Sequence, residues 1–371
     1  MNDLIPPLVS DGHILAEVNG CLGLITLNRP QALNALSLAM IRDITALLHH
    51  WAARPEVQAV AVLGAGREGK PPAFCAGGDI RFFYQAAHAG DPALEDFFTE
   101  EYRLNHLIHA YPKPYIALMD GIVMGGGMGI SQGAKLRVLS ERSKLAMPET
   151  GIGLFPDVGG GWFLAQCPGH VGEWLALTGQ PIAAGDAIEW GLGDVFVRAE
   201  QWPALVEDLR HGDQPSAEHV VATVMERADL APVSAPKATT DRIDRHFGQP
   251  TLAAILDTLA QADDGWAREA HAVLSQRSPT MMAVTLELVR RGRKLSLADD
   301  LRLERDLVHH AFHLRGAARS ETVEGIRALA VDKDHAPRWQ PATVADIDPA
   351  EVAAFFVSPW SPQAHPLRDL S

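Results

Sequence analysis

The alternation of short apolar runs with helical patterns constrains the fold of this chain more than any other feature of its sequence. Strand-like runs at residues 21–27, 57–63 and 115–119 are separated by helical patterns and by turns rich in glycine and proline. The helical pattern over residues 36–51 begins beside Ser37, a residue type that caps helix N-termini. Strands that alternate with helices predict an α/β fold with mostly parallel strands.

The pattern changes near residue 203, where long amphipathic segments replace the short runs. Helices are predicted there over residues 202–211, 217–227, 252–259, 266–275, 280–293 and 297–313. A Pro-punctuated stretch at residues 231–236 is typical of a linker, and the tail after Pro337 is predicted to be irregular and to pack through Trp339 and Trp360. We therefore predict three parts, which are a core at residues 12–202, a helical C-terminal region at 203–345 and an irregular tail at 346–371.

The charge balance and the cysteines limit the classes of function. The 371 residues carry a formal net charge of −14, and the densest basic stretch, residues 290–294, is short, so nucleic-acid binding is not expected. No apolar run is long enough for a membrane span, and the first residues predict neither a signal peptide nor an Arg-rich transit peptide. The three cysteines are far apart, which suits a reducing compartment. We therefore expect a cytoplasmic protein without disulfides or a membrane partner.

Two nucleotide-binding motifs are matched only in part. Residues 64–69 (GAGREG) fit the GxGxxG pattern of dinucleotide-binding folds, and with Lys70 they fit most of a P-loop. The pyrophosphate site needs a helix N-terminus directly after the glycines, but Pro71 and Pro72 follow instead. Pro71 also replaces the Ser or Thr that would hold Mg²⁺. This segment is therefore predicted to be a surface loop.

Two further patterns favour a structural interpretation. Residues 129–133 (GISQG) fit the GxSxG nucleophile elbow, but Ser131 falls inside the helix predicted after a glycine run, which favours a packing role. His309 and His313 have the i, i+4 spacing of metal ligands. Neither the Glu of an HExxH motif nor a Cys or Asp at ligand spacing accompanies them, so a polar helix face is favoured and no metal is predicted.

Two glycine-rich turns are suited to bring backbone N–H groups to a ligand. They are residues 74–81 (FCAGGDIR) and 124–129 (MGGGMG), and each follows an apolar segment. Glycine lets a backbone N–H approach a ligand closely, because no Cβ intervenes. Two such turns that face each other could place two N–H groups on one carbonyl oxygen, which is an oxyanion hole. Either turn alone is equally typical of a structural glycine turn.

Together with their surroundings, these turns resemble the enoyl-CoA hydratase/isomerase (crotonase) superfamily. The resemblance is carried by residues 27–36 (LNRPQALNAL), 74–80 (FCAGGDI), 113–117 (KPYIA) and 121–127 (GIVMGGG). It implies a crotonase-like spiral of ββα turns, followed here by a mostly helical C-terminal region, and the binding of an acyl-CoA thioester. By motif position, the oxyanion-hole N–H groups of the superfamily fall on Gly78 and Gly126. Its CoA-contacting stretch falls on Gly78, Asp79, Ile80 and Arg81, where the arginine offers a cation for a CoA phosphate.

The same resemblance argues against ordinary water addition and favours hydrolysis. Of the two glutamates that hydratases of the superfamily use, one matches Glu149 in residues 147–151 (MPETG), but Gly129 stands at the position of the other. Residues 100–105 (EEYRLN) and 155–161 (FPDVGGG) instead closely resemble the 3-hydroxyisobutyryl-CoA hydrolase family. Downstream matches at residues 278–280 (SPT), 324–328 (EGIRA) and 332–339 (DKDHAPRW) extend this resemblance over most of the chain. By motif position, the substrate-site residues of that family fall on Glu101, Gly126, Glu149 and Asp157.

These residue types suit the hydrolysis of a thioester. The reaction needs an oxyanion hole, an activated water or a carboxylate nucleophile, and an acid for the thiolate leaving group. Glu149 is the candidate base or nucleophile, and Asp157 could share a proton with it, since neighbouring carboxylates raise the pKa of one of them. Glu101 could hold the 3-hydroxyl group of the substrate.

The resemblance implies a hydrolase of 3-hydroxyisobutyryl-CoA in valine breakdown, with coenzyme A as part of the substrate and no separate cofactor. It also implies a trimer-based homo-oligomer, although the C-terminal extension could cover the surface that such trimers use. Two other functions stay open, an enoyl-CoA hydratase or isomerase that uses Glu149 alone and a non-catalytic acyl-CoA-binding protein. Gly129 argues against the first, and the three carboxylates argue against the second.

Overall fold

The computed structural model describes residues 4–67, 69–70, 73–234 and 237–371. Its strands are β1 (Ile14–Asn19), β2 (Leu22–Leu27), β3 (Ala59–Gly64), β4 (Ala73–Cys75), β5 (Tyr115–Met119), β6 (Ile122–Met124), β7 (Leu136–Leu139), β8 (Lys144–Ala146) and β9 (Val195–Phe196). Its helices are α1 (Leu38–Ala52), α2 (Ile80–Ala89), α3 (Ala93–His109), α4 (Gly126–Gln132), α5 (Gly160–Ala165), α6 (Val171–Thr178), α7 (Ala184–Glu189), α8 (Trp202–His211), α9 (Ala217–Met225), α10 (Lys237–Phe247), α11 (Leu252–Gln261), α12 (Gly265–Leu274), α13 (Pro279–Gly292), α14 (Leu297–His313), α15 (Glu321–Ile326) and α16 (Pro349–Phe355). Short 3-10 turns lie at Pro30–Ala32, Glu149–Ile152, Ala317–Arg319 and Val344–Asp346, and a π-helical turn lies at Arg327–Val331.

The chain groups into two compact units. The first holds residues 4–78, Arg103–Leu145 and Ile182–Ser234, and the second holds Asp79–Tyr102, Ala146–Pro181 and residues 237–371. The linear boundaries at residues 12–202, 203–345 and 346–371 stay a prediction.

A six-stranded sheet forms the centre of the first unit, in the order β1-β2-β3-β5-β7-β9. Strands β1 and β2 are antiparallel, and each of the following pairs is parallel. The middle strands are buried on both faces, as expected of parallel strands covered on both sides. Trp202 and Leu205 of α8 belong to the same apolar core as Leu22 and Leu24 of β2. The predicted α/β fold with mostly parallel strands is confirmed.

A smaller sheet positions the two glycine-rich turns. Its order is β4-β6-β8, and β4 runs parallel to β6 with Ala73 opposite Ile122 and Cys75 opposite Val123. Parallel strands end at the same edge of a sheet, so the chain leaves β4 and β6 on the same side. The glycine-rich turns begin directly after these strand ends.

Most of the second unit is helical, and aromatic side chains join three of its helices. The ring of Phe83 on α2 lies 4.7 Å from that of Phe97 and 4.9 Å from that of Phe98, both on α3. Phe98 also lies 5.7 Å from Phe312 on α14. Ring pairs at these distances are favourable beyond the area that they bury. They hold the part of α3 that carries Glu101 against its neighbours.

Helix predictions succeed where apolar residues recur at helical spacing and fail where a helix is mainly polar or lies in the tail. Helices α8 and α14 have the predicted bounds, and Ser37 caps α1 by accepting a hydrogen bond from the N–H of Met40 at 3.3 Å. The apolar pattern does not predict α10, because the sequence of this helix is mainly charged and polar and its buried residues are Ile243, His246 and Phe247. The prediction of an irregular tail is wrong at α16, which Asp348 caps.

Some predicted features lie outside the described residues. These are residues 1–3 at the N-terminus, Glu68, Pro71 and Pro72 of the nucleotide-motif segment, and residues 235–236 of the predicted linker. In the part of the chain that is described, no helix combines the length and the apolar character needed to cross a membrane.

Candidate active site

The two glycine-rich turns lie against each other in the first unit. Gly77 has a φ of +106°, and a Cβ at this position would lie 3.5 Å from the amide nitrogen of Gly126. A Cβ on Gly127 would lie 2.3 Å from the carbonyl oxygen of Cys75, which no side chain tolerates. The backbones of the two turns are therefore in contact because glycine occupies these positions. Gly78 directly follows Gly77 at this contact.

Three carboxyl groups are buried in the second unit. Glu101 lies on α3, Glu149 opens the 3-10 turn Glu149–Ile152, and Asp157 precedes α5. Their exposed fractions are 2%, 6% and 5%, respectively. The charge of Asp157 acts on both glutamates, and that of Glu149 acts on Glu101. The fold therefore brings together three residues that are separated by up to 56 positions in the sequence.

Burial is the main cause that raises the pKa values of this cluster. Burial, and then the charges of Asp157 and Glu149, raise the pKa of Glu101 well above its ordinary value. Burial and the charge of Asp157 do the same for the pKa of Glu149. Burial raises the pKa of Asp157 only to about 6. Asp157 is therefore the first of the three to ionise, while the two glutamates retain protons.

A hydrogen bond from Tyr102 accounts for the lower pKa of Asp157. The phenolic O–H of Tyr102 donates to Oδ2 of Asp157 at 2.8 Å, and a donor of this kind favours the ionised carboxylate. Burial, followed by nearby negative charge, raises the pKa of Tyr102 well above its ordinary value, so the phenol stays protonated. Tyr102 lies within residues 100–105, but its contact with Asp157 is not visible in the sequence.

Two carboxyl oxygens of the cluster lack a protein partner. Among the described residues, Oε1 of Glu101 and Oε2 of Glu149 are buried without a hydrogen bond. Most buried polar atoms in proteins are paired, and the exceptions call for a water, an ion or a catalytic role. These two oxygens are therefore the atoms on which a polar substrate group or a reacting water would complete the site.

The backbone directly after Asp157 is strained and is held by a buried acid. Val158 has a φ of +56°, which is rare for a β-branched residue. Glu304 on α14 accepts hydrogen bonds from the N–H of Gly159 at 2.7 Å and from the N–H of Gly161 at 2.9 Å. Strain of this kind persists only where the surroundings fix the backbone. Glu304 is therefore a positioning residue for Asp157. No motif in the sequence points to this role of Glu304.

A second acid on α14 also holds the backbone after Asp157. Asp300 accepts a hydrogen bond from the N–H of Trp162 at 2.9 Å. Burial raises the pKa of Asp300 to about 7, and burial with the charge of Asp300 raises the pKa of Glu304 well above its ordinary value. The two carboxyls therefore retain a proton between them near neutral pH, and together they hold the first turn of α5.

The predicted CoA-binding residues lie at the start of α2. Asp79 accepts a hydrogen bond from the N–H of Phe82 at 3.3 Å and caps this helix. Ile80 is half-buried, Arg81 is exposed, and Gly78 is half-buried in the preceding turn. These positions place a cation at the surface beside a glycine turn, and their role in CoA binding stays a prediction.

Positions 129 and 131 carry no group that is available for chemistry. Gly129, where a hydratase would need its second glutamate, is buried in α4. Ser131 is also buried, and its hydroxyl donates to the carbonyl oxygens of Gly127 at 2.8 Å and Met128 at 3.1 Å. A nucleophile elbow needs an accessible serine between a strand and a helix. Ser131 therefore packs within its helix.

Comparison with known proteins identifies relatives over nearly the whole chain. The family described as enoyl-CoA hydratase/isomerase matches residues 22–356. The 3-hydroxyisobutyryl-CoA hydrolase, mitochondrial, of Rattus norvegicus is 41% identical over 93% of this chain and 89% of that protein. The protein of the same name from Homo sapiens is 38% identical over 93% of this chain and 89% of its own length.

Solved structures show the same fold under other names. A carnitinyl-CoA dehydratase from Mycobacterium thermoresistibile has a TM-score of 0.85 and 39% identity, and the match covers 94% of this chain and 97% of that one. An enoyl-CoA hydratase from Rhodobacter sphaeroides has a TM-score of 0.83 and 40% identity, and the match covers 93% of this chain and 97% of that one. The predicted crotonase-like fold is confirmed.

The prediction of a cytoplasmic protein is wrong in the light of these relatives. The hydrolases of Rattus norvegicus, Mus musculus and Homo sapiens are all named mitochondrial. The described cysteines Cys21, Cys75 and Cys167 are buried and are not joined in disulfides. Their spacing in the sequence suits any reducing compartment and does not distinguish one from another.

The family match and the curated relatives each extend over most of the sequence, at identities that are high enough to establish descent. This chain belongs to the enoyl-CoA hydratase/isomerase family, in its 3-hydroxyisobutyryl-CoA hydrolase branch.

Proposed function

We propose that this protein hydrolyses the thioester of a short-chain 3-hydroxyacyl-CoA, with 3-hydroxyisobutyryl-CoA as its main substrate. The observation that carries the proposal is the buried cluster of Glu101, Glu149 and Asp157, in which all three pKa values are raised. Relatives at 38–41% identity that are named for this substrate support the same choice.

The reaction needs one ionised and one protonated carboxyl group at the same time. Asp157, with a pKa of about 6, is ionised at neutral pH, while Glu149 retains its proton. Neighbouring carboxyls that share a proton in this way can serve as a base and an acid within one turnover. Hydrolysis joins an oxygen of water to the carbonyl carbon, breaks the C–S bond and gives the thiolate a proton. One water is consumed for each free acid and each CoA thiol that form.

Glu149 is the group that starts the attack in this proposal, after it has passed its proton to the ionised Asp157. As a general base, it takes a proton from the water that attacks the carbonyl carbon. As a nucleophile, its oxygen attacks the same carbon and forms an anhydride, which water then hydrolyses. The unpartnered Oε2 of Glu149 is the oxygen available for either route. Asp157 receives or returns the shared proton in both.

Glu101 is proposed to recognise the 3-hydroxyl group of the substrate. Its Oε1 is buried and unpartnered, and its raised pKa leaves a carboxyl group that both donates and accepts hydrogen bonds. A substrate without the hydroxyl would leave this buried group unpaired. Sites built in this way reject the deoxy analogue far more strongly than an apolar pocket rejects a missing methyl group.

The backbone N–H groups of Gly78 and Gly126 are proposed to form the oxyanion hole. The contact between their turns supports this assignment, since both N–H groups belong to segments that touch. Preorganised donors of this kind stabilise the negative charge of a tetrahedral intermediate. Residues 78–81 are proposed to bind coenzyme A, with Arg81 directed to a phosphate group.

Three finer proposals rest on the resemblance to this family. The reaction belongs to valine breakdown, it uses no cofactor besides the coenzyme A of the substrate, and the protein works as a trimer-based oligomer. Gel filtration with light scattering tests the last, because a monomeric mass would contradict it.

A second function has one observation in its favour. The two solved structures at 39% and 40% identity are named as a dehydratase and a hydratase. Water addition to an enoyl-CoA ordinarily takes two carboxyl groups in this superfamily, and Gly129 supplies none. Hydrolysis therefore remains the better-supported function.

A panel of acyl-CoA substrates separates the two functions. Release of the CoA thiol is followed with a thiol reagent, and hydration is followed by the loss of enoyl absorbance of crotonyl-CoA. We expect fast thiol release from 3-hydroxyisobutyryl-CoA, release from 3-hydroxypropionyl-CoA within roughly 10–200-fold, since one methyl group separates them, and little from isobutyryl-CoA. Hydration of crotonyl-CoA that is faster than every thiol release would overturn the proposal.

A further inference from the structure

A cluster on the second unit combines two imidazoles with a carboxylate. His309 and His313 lie one turn apart on α14, as their spacing predicts, but Glu95 of α3 lies against both. The Oε1 atom of Glu95 is 3.2 Å from Nδ1 of His309 and 2.7 Å from Nε2 of His313. The polar helix face that the sequence predicts therefore supplies two of the three members of a mixed cluster, and the third comes from 214 positions away.

The spacing of these atoms matches that of ligands around one metal ion. One nitrogen from each histidine and one oxygen of Glu95 all lie within 4.8 Å of one another. Zinc bonds of about 2.0–2.1 Å at tetrahedral angles place neighbouring ligand atoms about 3.3 Å apart. The 3.2 Å between Glu95 and His309 is already close to that value, whereas the 2.7 Å between Glu95 and His313 is a hydrogen-bond distance that would lengthen around an ion.

Arg305 holds the second oxygen of the Glu95 carboxylate. Its guanidinium group forms an ion pair with Oε2 of Glu95, which leaves Oε1 directed to the two imidazoles. Metal-binding carboxylates are commonly held by such a second hydrogen bond. Arg305 is itself buried and lies with its guanidinium carbon 4.9 Å from the ring centre of Trp360, so this support is fixed.

The cluster is accessible to an ion from solvent. The side chains of Glu95, His309 and His313 are 32%, 28% and 47% exposed. A site with three protein ligands and an exposed side leaves a position for water.

We propose that Glu95, His309 and His313 form a binding site for one divalent transition metal ion, with Zn²⁺ as the preferred probe. Imidazole and carboxylate ligands together suit zinc and its neighbours in the first transition series rather than Mg²⁺ or Ca²⁺. The ion would join α3 to α14. The first of these helices carries Glu101 and Tyr102, and the second carries Glu304, so the site would stabilise the framework of the carboxyl cluster without taking part in hydrolysis.

Binding of Zn²⁺ to the full-length protein after treatment with a chelator tests this site. Isothermal titration calorimetry gives the stoichiometry and the affinity, and Co²⁺ gives the visible spectrum of a low-coordinate ion. We expect one ion per chain in the unmodified protein. The affinity for Zn²⁺ should fall by at least ~100-fold in His313→Ala and in Glu95→Gln, because loss of even a supporting partner costs ~10–100-fold. His313 is half-exposed, so its replacement opens no buried cavity.

His310→Ala is the matched control, because it removes an imidazole from the same turn of α14. Nε2 of His310 donates a hydrogen bond to the carbonyl oxygen of Val357, so this side chain lies outside the cluster. Its affinity for Zn²⁺ should stay within a few-fold of the unmodified protein. The proposal is overturned if the unmodified protein binds no stoichiometric zinc, or if His313→Ala and Glu95→Gln bind it as tightly as His310→Ala does. Since no turnover is measured, failure here leaves the proposed hydrolysis untouched.

Discussion

Asp157 and Glu149 are both almost fully buried, yet their proton affinities differ for a local reason. Tyr102 donates a hydrogen bond to Asp157, whereas Oε2 of Glu149 has no partner among the described residues. The charge of Asp157 then raises the pKa of Glu149 further. The phenol of Tyr102 thus helps to keep the pKa of Asp157 below that of Glu149, and the proposed function uses this difference to supply an acid and a base at neutral pH.

Glu101→Gln tests recognition of the substrate hydroxyl. The amide keeps the size of the side chain but does not reproduce a protonated carboxyl group, so the preference for 3-hydroxyisobutyryl-CoA over isobutyryl-CoA should fall by at least ~10-fold. The ratio of kcat/KM for the two thioesters is the measurement. Glu100→Gln, the neighbouring substitution on α3, should leave this ratio unchanged. An unaltered ratio in Glu101→Gln would show that Glu101 does not read the hydroxyl.

At the scale of elements, α3 and α14 supply the groups that surround Asp157. Helix α3 carries Glu101 and Tyr102 in consecutive positions, and α14 carries Asp300 and Glu304 one turn apart on the face that holds the start of α5. The spacing of these pairs within each helix is visible in the sequence. Their meeting is not, since Glu304 and Gly159 are 145 positions apart.

Tyr102→Phe should change the pH dependence of hydrolysis. With every carboxyl protonated there is no base, and with every carboxyl ionised there is no acid, so kcat/KM should follow a bell-shaped profile. Its acid limb should lie near the Asp157 pKa of about 6. Loss of the phenol removes a hydrogen bond that lowers this pKa, so the limb should move to higher pH. An acid limb that stays in place would contradict the role of Tyr102.

The sequence predicts those elements that local pattern determines. Long amphipathic helices such as α14, the cap at Ser37 and the glycine turns at Gly77 and Gly126 can be recognised because the signal lies within a few residues. The carboxyl cluster was anticipated through resemblance to a family, not through spacing. Glu304 and Glu95 could not be anticipated, because an isolated glutamate on a helix has the same local pattern whether it faces solvent or a partner distant in the sequence.

At the scale of the whole molecule, the buried carboxyl of Asp157 makes stability depend on pH. Asp157 has an ordinary pKa of 3.8 when unfolded and about 6 when folded, so the folded protein binds its proton more tightly. Stability from this group is therefore present at low pH and falls as the pH rises between these values. Well above pH 6 the cost is constant, because the group is then ionised in both states.

Asp157→Asn should remove this pH dependence. The amide oxygen still accepts a hydrogen bond from Tyr102 but carries no buried charge. Relative to the unmodified protein, the variant should gain stability as the pH rises from 4 to 7, by up to ~3 kcal/mol for a shift of about two pKa units, while thiol release falls. Urea unfolding at several pH values measures the difference. A stability difference that is the same at pH 4 and pH 7 would count against a buried, ionised Asp157.

Glu149→Gln tests most directly whether the carboxyl cluster performs hydrolysis. The substitution keeps the shape of the side chain and removes the attacking group, so kcat for CoA thiol release from 3-hydroxyisobutyryl-CoA should fall by ~10²–10⁴-fold, the range for loss of a general base. Substrate affinity should remain nearly unchanged, because the ground-state contacts persist. Ser131→Ala, which alters a helix-packing hydroxyl, should release thiol within a few-fold of the unmodified protein. A Glu149→Gln variant with near-normal kcat, or a Ser131→Ala variant that loses it, would contradict hydrolysis by this cluster.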